Sequence, residues 1–501
     1  MLKLEKKFTI FKKSFTLTWV HIALFCILGI AMYLRFANYP LKYGFDPDPS
    51  RDALIVIEGA KHLHFPLIGP KSGIGPFAFG PWYYYELIIF KLLVPIPFSP
   101  WIFIGIMSFL FVVVMYAIGR ALESKPFGLL LALIAAFSPE QIGPTTGLSN
   151  PNLVPFHAGL TVLFFVLYMK NKTLSRIWIF VWGLMLGIGI NHHYQMLLLL
   201  PLPFFAFVYR RNKKALIGNG IFLIGLVLSF TPLLMYNLQH NFKTVTGFLY
   251  YITTSRNATY IANRWVFYIR DFWFTFLSMT FGVTKPFALG LILLTVGAFV
   301  WAVIKKKITS VYWFLLVTFG IDFIFLRYFS VRKELYYFLF FHPFLFLFFG
   351  FALWQIKKLR FGWIVVAVIL LAMLPSVWHQ DALRYATKND ALSFYNDAQM
   401  LEKTYPGHTF AVYGCIKNDL SRSQAVAFFL ENDKKLSDTG LPIVFLNWNC
   451  TEETLAKFSP SYTIPGMHWT VEVPSADTLN NAREYWKPIS PKAVFQDTLE
   501  R

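Results

Sequence analysis

Phe45-Asp46-Pro47-Asp48-Pro49-Ser50-Arg51-Asp52 follows closely on the first long apolar run of the chain, residues 15–36. Three carboxylates and an arginine crowd together in a chain of which only 14% of residues are charged. Holding such a cluster beside an apolar phase costs free energy, so it marks a site. The run before it is too long for a signal-peptide core and lacks a convincing cleavage sequence. It follows Lys3, Lys6, Lys7, Lys12 and Lys13, and reads as a retained membrane anchor.

Composition extends this reading outward. The 501 residues are 56% hydrophobic and 19% aromatic, with a mean hydropathy of +0.51. Apolar runs alternate with short basic loops, the pattern of an all-α polytopic membrane protein. The formal charge of +20 gathers in brief inter-helix turns, which indicates cytoplasmic loops and no nucleic-acid partner. Candidate spans cover 15–36, 101–118, 127–142, 154–169, 177–190, 196–208, 216–236, 287–304, 311–326, 336–354 and 361–377. That is about eleven, with 127–142 and 177–190 short of the roughly 20 residues a bilayer core requires.

A further apolar helix, 79–94, decides the topology. If it crosses, the clusters around Lys170, Arg210, Lys305 and Lys357 fall outside the cell. If it only dips into the membrane, they join the N-terminus in the cytoplasm, as loop charge demands. The second choice places 37–100, 143–152, 191–195, 237–286, 327–334 and the C-terminal tail on one outer face. Loops rich in Asp, Asn, His, Tyr and Arg then lie outside, and the inner loops are merely short and basic. A multi-pass protein of the cell membrane is expected, with juxtamembrane helices in its first outer loop, 37–100.

From His379 onward the composition is that of a soluble domain. Residues 409–413 and 443–446 look like buried strands, and 386–404 and 421–430 look helical. The chain is thus expected to divide into a membrane domain, 1–378, and a small extracytoplasmic α/β domain, 379–501. The chain has three cysteines, Cys26, Cys415 and Cys450. The last two either pair or stay as separate thiols, a choice spacing leaves open.

The acidic stretch carries the first chemical expectation. Asp48 before Pro49 is a helix start, with Asp48 at the N-cap. The helix 50–64 mixes apolar and charged residues and reads as lying along the interface. Asp48 and Asp52 share one face of it. A cap needs one carboxylate, whereas Asp46, Asp48 and Asp52 supply three. A glycosyl-acceptor hydroxyl needs a general base, so Asp48 is the first candidate and Asp46 the second. Arg51 is placed to pair with a carboxylate or a phosphate.

Other polar clusters follow on the same face. The Gly- and Pro-rich 66–76 enforces a fixed extended loop carrying Lys71, a contact for an anionic head group. It runs into Trp82-Tyr83-Tyr84-Tyr85-Glu86, where the aromatics suit an interfacial belt or a sugar-stacking wall and Glu86 needs a partner. Asn150, which also reads as an N-cap, and Asn152 are hydrogen-bonding candidates, with His157 nearby. In Asn191-His192-His193-Tyr194-Gln195, His192 and His193 lack a His-x-x-x-His or Glu-x-x-His partner. Sugar or phosphate contacts are therefore favoured there over a divalent metal, and no cofactor is assigned. Outer-side Arg256, Arg264, Arg270, Arg332 and Lys333 call for phosphate or lipid head groups, and Tyr336 and Tyr337 follow them.

These patterns resemble the GT-C superfamily of polyprenyl-phosphate-sugar-dependent glycosyltransferases, nearest the protein O-mannosyltransferase and aminoarabinose-transferase types. The resemblance rests on Asp48 to Ala53 with Gly59 and Pro66-Leu67, on Pro81 to Tyr85, on Ser138-Pro139 to Asn150, and on Arg332 to Tyr337 leading to His342-Pro343. It covers about residues 10–378. It implies that Asp48 is the catalytic base of an inverting transfer from a lipid-phosphate sugar, in a cavity framed by juxtamembrane helices. Pro49 stands where many relatives carry a second acid, and Asn150 or Asn152 where some carry a later one; both departures argue against a metal-dependent version. The expected partners are a polyprenyl-phosphate sugar donor, a glycan, lipid or protein acceptor, and membrane lipids. The rival readings are a lipid-linked oligosaccharide transporter, which predicts charges along a path through the spans, and a non-catalytic assembly subunit, which predicts that Asp48→Asn is silent.

Overall fold

The computed structural model describes residues 6–10, 13–40, 42–170, 174–253, 263–328, 333–378, 391–414, 421–446, 460–463, 470–474 and 488–499. The chain starts with a hairpin, β1 (Lys6–Ile10) and β2 (Lys13–Leu17), and its first helix is α1 (Trp19–Phe36). The anchor therefore starts at Trp19 and not at residue 15, because 13–17 are paired as a strand. Next come α2 (Pro47–His62), α3 (Trp82–Leu93), α4 (Ser99–Leu122), α5 (Lys125–Ala136) and the short α6 (Pro139–Ile142). The bundle continues with α7 (Val154–Lys170), α8 (Arg176–His192), α9 (Pro201–Arg210), α10 (Lys213–Leu228), α11 (Thr231–Gln239) and α12 (Lys243–Thr253). Then follow α13 (Arg264–Val266), a π-helical turn Phe267–Trp273, α14 (Phe274–Phe281), α15 (Lys285–Ile304) and α16 (Ser310–Tyr328). The helices α17 (His342–Ile356), α18 (Gly362–Ala372) and α19 (Leu374–Trp378) complete it.

Every stretch expected to cross the membrane is helical along most of its length. By length and composition, six helices among the described residues can cross, or up to eight if each bent pair is one span. Two expected spans are broken. The 127–142 stretch bends by 75° between α5 and the segment Pro139–Thr146, and 216–236 bends by 53° between α10 and α11. Proline explains both, since Pro139 and Pro232 cannot continue the preceding helix. The helix α3 has 12 residues, about 18 Å of rise against a hydrocarbon core of about 30 Å, so it is too short to cross.

The first break is held by a buried cation. Arg35 at the end of α1 is fully buried; it donates to Ser108 Oγ at 2.8 Å and to the carbonyls of Ala31, Ala135 and Ala136 at 3.2 Å. The last two are C-terminal carbonyls of α5, which lack helical partners and carry the negative end of its dipole. Ser108 in turn donates to Gln141 O at 2.5 Å, and the Gln141 amide meets His342 Nδ1 at 2.6 Å. The Ser138-Pro139 and His342-Pro343 motifs are thereby tied together. Below Arg35, Lys42 donates to its backbone carbonyl. Burial, with Arg35 beside it, pushes the Lys42 amino group down to about 8.

The helix α2 departs from expectation in two ways. Its N-cap is Asp46 and its first residue Pro47, two residues earlier than Asp48-Pro49, and it ends at His62. Nor does it float at an interface, because Pro49, Ser50 and the run from Asp52 to Gly59 are all buried. One side packs on α3. The other packs on α21 (Ser421–Asn432) and α22 (Pro491–Leu499), which, with α20 (Ala391–Thr404), flank the C-terminal sheet. That sheet has the order β3 (Phe410–Gly414), β4 (Leu441–Leu446), β6 (Thr470–Pro474), β5 (Pro460–Thr463), parallel between β3 and β4 and antiparallel otherwise. Phe45 joins the two regions, its ring 4.9 Å from Trp101 and 5.3 Å from both Phe428 and Phe429. Strands and helices lie at 410–414, 441–446, 391–404 and 421–432, with 386–390 of the expected helix outside the described residues, and their core is continuous with the first loop.

Candidate active site

A cavity of about 740 Å³ opens where α2, the 66–81 loop, the 149–152 segment, the end of α8 and the 335–341 segment converge. Among the expected site residues, Asp48, Arg51, Asp52, Lys71, Asn150, Asn152, His193, Tyr336 and Tyr337 line it. Residues distant in sequence meet here because the first half of α2, the 66–81 loop and the ends of several other elements converge on one opening.

The acidic floor is a relay of short contacts. Arg51 bridges Asp48 Oδ1 and Asp52 Oδ1, both at 2.7 Å. The two carboxylates differ in environment: the Asp48 side chain is 68% exposed and that of Asp52 only 2%. Tyr84, fully buried on α3, donates to Asp52 Oδ1 at 2.8 Å. Burial works against the Arg51 charge, but Asp52, Tyr84 and Asp48 more than reverse it, so its pKa stands well above the ordinary value. Asp52 is thus saturated with donors, while Asp48 presents an accessible carboxylate to the cavity. Asp46 sits exposed at the N-cap and is not part of the lining.

The loop across from this floor is folded back on itself. Gly69 N bonds Phe79 O at 2.9 Å, Phe79 N bonds Pro70 O at 3.0 Å, and Lys71 pairs with Ala78. Gly80 makes the close approach that seats the loop: its N–H reaches Asn191 O at 3.1 Å, and a Cβ there would lie 1.6 Å from Asn191 Oδ1. Phe77 and Phe79 from this loop, with Tyr194, Phe248 and Tyr251, make an aromatic wall. In the Trp82–Tyr85 run, Tyr83 and Tyr84 are interior and form neither belt nor wall.

On the far side, Ser149 rather than Asn150 occupies the N-cap position of the Asn150–Leu153 turn. Asn150 Nδ2 donates to His192 O at 2.5 Å, and Asn152 Nδ2 donates to the carbonyls of Pro144 and Gly147. Both shape the wall as well as line it. Tyr336 and Tyr337 meet hydroxyl to hydroxyl at 3.3 Å, and the Tyr337 ring lies 5.6 Å from that of His193.

Several expected residues stand elsewhere. Lys333 lies off the lining, donating to Leu326 O at 2.7 Å with the Tyr268 ring below it. Arg270 is exposed and paired with Asp271 at 2.8 Å, and Arg264 is also outside the lining. Arg256, Arg332, Cys415 and Cys450 lie outside the described residues. Glu86 and His192 sit behind the wall in a group that sequence spacing did not disclose. Glu86 Oε1 is 3.5 Å from His157 Nε2, and Glu86 Oε2 is 3.2 Å from His192 Nε2. The missing partner of Glu86 and His192 is His157 of α7, which only the tertiary fold brings close.

No family model and no curated protein matches the sequence. The structure, however, superposes on ArnT from Cupriavidus metallidurans in the apo state with a TM-score of 0.62 at 12% identity, over 92% of this chain and 98% of that one. The same protein bound to undecaprenyl phosphate gives 0.61 at 13% identity, with the same coverage. The Archaeoglobus fulgidus oligosaccharyltransferase in its apo form gives 0.55 at 14% identity, over 82% of this chain and 64% of that one. Over most of its length the chain thus has the fold of ArnT and of this oligosaccharyltransferase, the fold that the sequence resemblance implies.

Proposed function

We propose that this protein is a membrane glycosyltransferase that moves a sugar from a polyprenyl-phosphate donor to an acceptor hydroxyl at the outer face of the cell membrane. The observation that carries the reading is the cavity floor: an accessible Asp48 carboxylate beside a locked Arg51–Asp52–Tyr84 support. Asp48 takes the proton from the acceptor hydroxyl, and that oxygen attacks the anomeric carbon from the side opposite the phosphate. The glycosidic C–O bond breaks, and its electron pair leaves on the polyprenyl phosphate, so the configuration inverts. Among the described residues, Arg51 and Lys71 are the cavity-lining cations suited to the phosphate. The aromatic wall suits the sugar ring.

The carrier class has two supports. The similar protein ArnT has been solved bound to undecaprenyl phosphate. In this chain α16 lends Phe325, Leu326 and Tyr328 to the cavity, and just before them lends Phe319 and Phe323 to an apolar groove of about 570 Å³ along α15 and α17. A phosphate in the cavity and a prenyl tail in that groove would share one helix. The N-terminus is assigned to the cytoplasm and 379–501 to the outside, where α2 links that region to the cavity floor. The transporter reading predicts charges along a path through the spans, whereas these are nearly free of charge apart from the buried Asp322 of α16, and Arg35 is bound to carbonyls at a helix break. The test is to incubate the purified protein with labelled polyprenyl-phosphate sugars and acceptor extracts. Transfer that disappears in Asp48→Asn supports the reading; a folded protein that transfers no sugar from any donor refutes it.

A further inference from the structure

We propose that Glu86, His157 and His192 are the protein ligands of a transition-metal site, of the zinc class, set directly behind the cavity wall. The three come from α3, α7 and α8, and one ligand atom from each lies within 4.8 Å of the others. His157 and His192 are buried, their side chains 2% and 0% exposed. The inference does not depend on the transfer reaction.

The hydrogen-bonding pattern fixes which atoms face one another. His157 Nδ1 lies 3.1 Å from Leu153 O, and a carbonyl only accepts, so Nδ1 carries the hydrogen. In the neutral ring, Nε2 then turns its lone pair toward Glu86 Oε1, 3.5 Å away. Two electron-rich atoms facing each other need a cation between them. A proton shared by such a pair would draw them to about 2.7–2.9 Å. A tetrahedral zinc with bonds of about 2.0–2.1 Å instead spaces its ligand atoms about 3.3–3.4 Å apart. The observed 3.5 Å and 3.2 Å fall on either side of that edge length. Neither nitrogen of His192, nor Glu86 Oε2, makes a well-directed hydrogen bond, although all three are buried. Orphaned buried polar atoms are costly unless something satisfies them.

The surroundings are those of a metal centre as well. The Leu153 carbonyl orients one histidine through its second nitrogen, as outer partners of zinc-bound histidines do. Asn150 holds the His192 backbone carbonyl at 2.5 Å. Two imidazoles and a carboxylate are zinc-type donors, and three protein ligands leave a fourth position for water or another ligand atom. The metal would lock three helices whose neighbouring residues build the site: Tyr84 on α3, Asn150 ahead of α7 and His193 after α8.

The test uses the full chain, purified in detergent on an affinity tag free of histidine, stripped with chelator and dialysed against zinc or cobalt. The expected result is about one equivalent of zinc by elemental analysis, the visible bands of tetrahedral cobalt, and a melting temperature raised by zinc. Glu86→Gln and His157→Gln should each lower zinc occupancy at least about tenfold, while His62→Gln, an exposed histidine of α2, should keep it. Wild-type protein that stays monodisperse yet binds no stoichiometric zinc and shows no thermal shift overturns the proposal, whatever the variants do. So does metal retained in both ligand variants.

Discussion

Tyr84 Oη donates to Asp52 Oδ1 at 2.8 Å, the same oxygen that takes two bonds from Arg51. Three donors on one carboxylate oxygen make Asp52 a support for Arg51 rather than a free base. Tyr84→Phe keeps the ring and its packing but removes one donor. We expect a loss of about 1–2 kcal/mol in stability and a roughly tenfold slower transfer as Arg51 loosens. Thermal melts and initial rates on the same preparation check both; an unchanged rate would show that the support is not needed.

Asp48 and Asp52 should separate cleanly under substitution. Asp48→Asn removes an accessible carboxylate, so the melting temperature should hold while transfer falls by about 10²–10⁴. Asp52→Asn disturbs a buried ion pair, and should lower stability by about 3–5 kcal/mol as well as activity. If Asp48→Asn is silent and Asp52→Asn alone abolishes transfer in a folded protein, the two roles are reversed.

Much of this is legible because charge is scarce in the chain, so Asp48, Arg51 and Lys71 stand out against apolar runs, as the polar Asn150 does beside Pro151. Alternation of apolar and basic segments likewise marks the expected spans, but α12 and α14 fold within 237–286, a stretch whose mixed composition reads as an outer loop. What local pattern could not carry was depth. The mixed composition of α2 looked interfacial because the helices that cover it, α21 and α22, lie hundreds of residues away. Helix breaks at Pro139 and Pro232 were hidden inside runs whose hydropathy is continuous. His157 reads from the sequence as a neighbour of the hydrogen-bonding candidates Asn150 and Asn152, and only the fold, which brings α7 and α8 beside α3, joins it to Glu86. Lys333 and Arg270 attracted attention as outer cations, yet each has a local partner that hydropathy cannot reveal.

The loop carrying Lys71 depends on one contact. A Cβ at Gly80 would fall 1.6 Å from Asn191 Oδ1, so Gly80→Ala must push the loop off the end of α8. Because Phe77, Phe79 and Lys71 move with it, the Michaelis constant for the lipid-linked donor should rise about tenfold or more, with a stability loss of about 1–3 kcal/mol. Gly220→Ala on α10, away from the cavity lining, meets open space and should leave the Michaelis constant unchanged. Equal behaviour of the two variants would rule out this seating as the cause.

Lys42 gives a pH dependence whose sign is fixed. Its amino group is pushed down to about 8 in the folded protein by burial and by Arg35, against about 10.4 in the unfolded chain. Between those values the unfolded chain holds a proton that the folded protein has released, so stability rises as pH climbs through this window. Below pH 8 both states are protonated and the slope vanishes. The gain across the window is of order 1–3 kcal/mol. Lys42→Met, which keeps the aliphatic stem, should flatten the rise in melting temperature between pH 8 and pH 10 relative to wild type. A steeper rise in Lys42→Met than in wild type would mean that Lys42 stays charged at its place against Arg35.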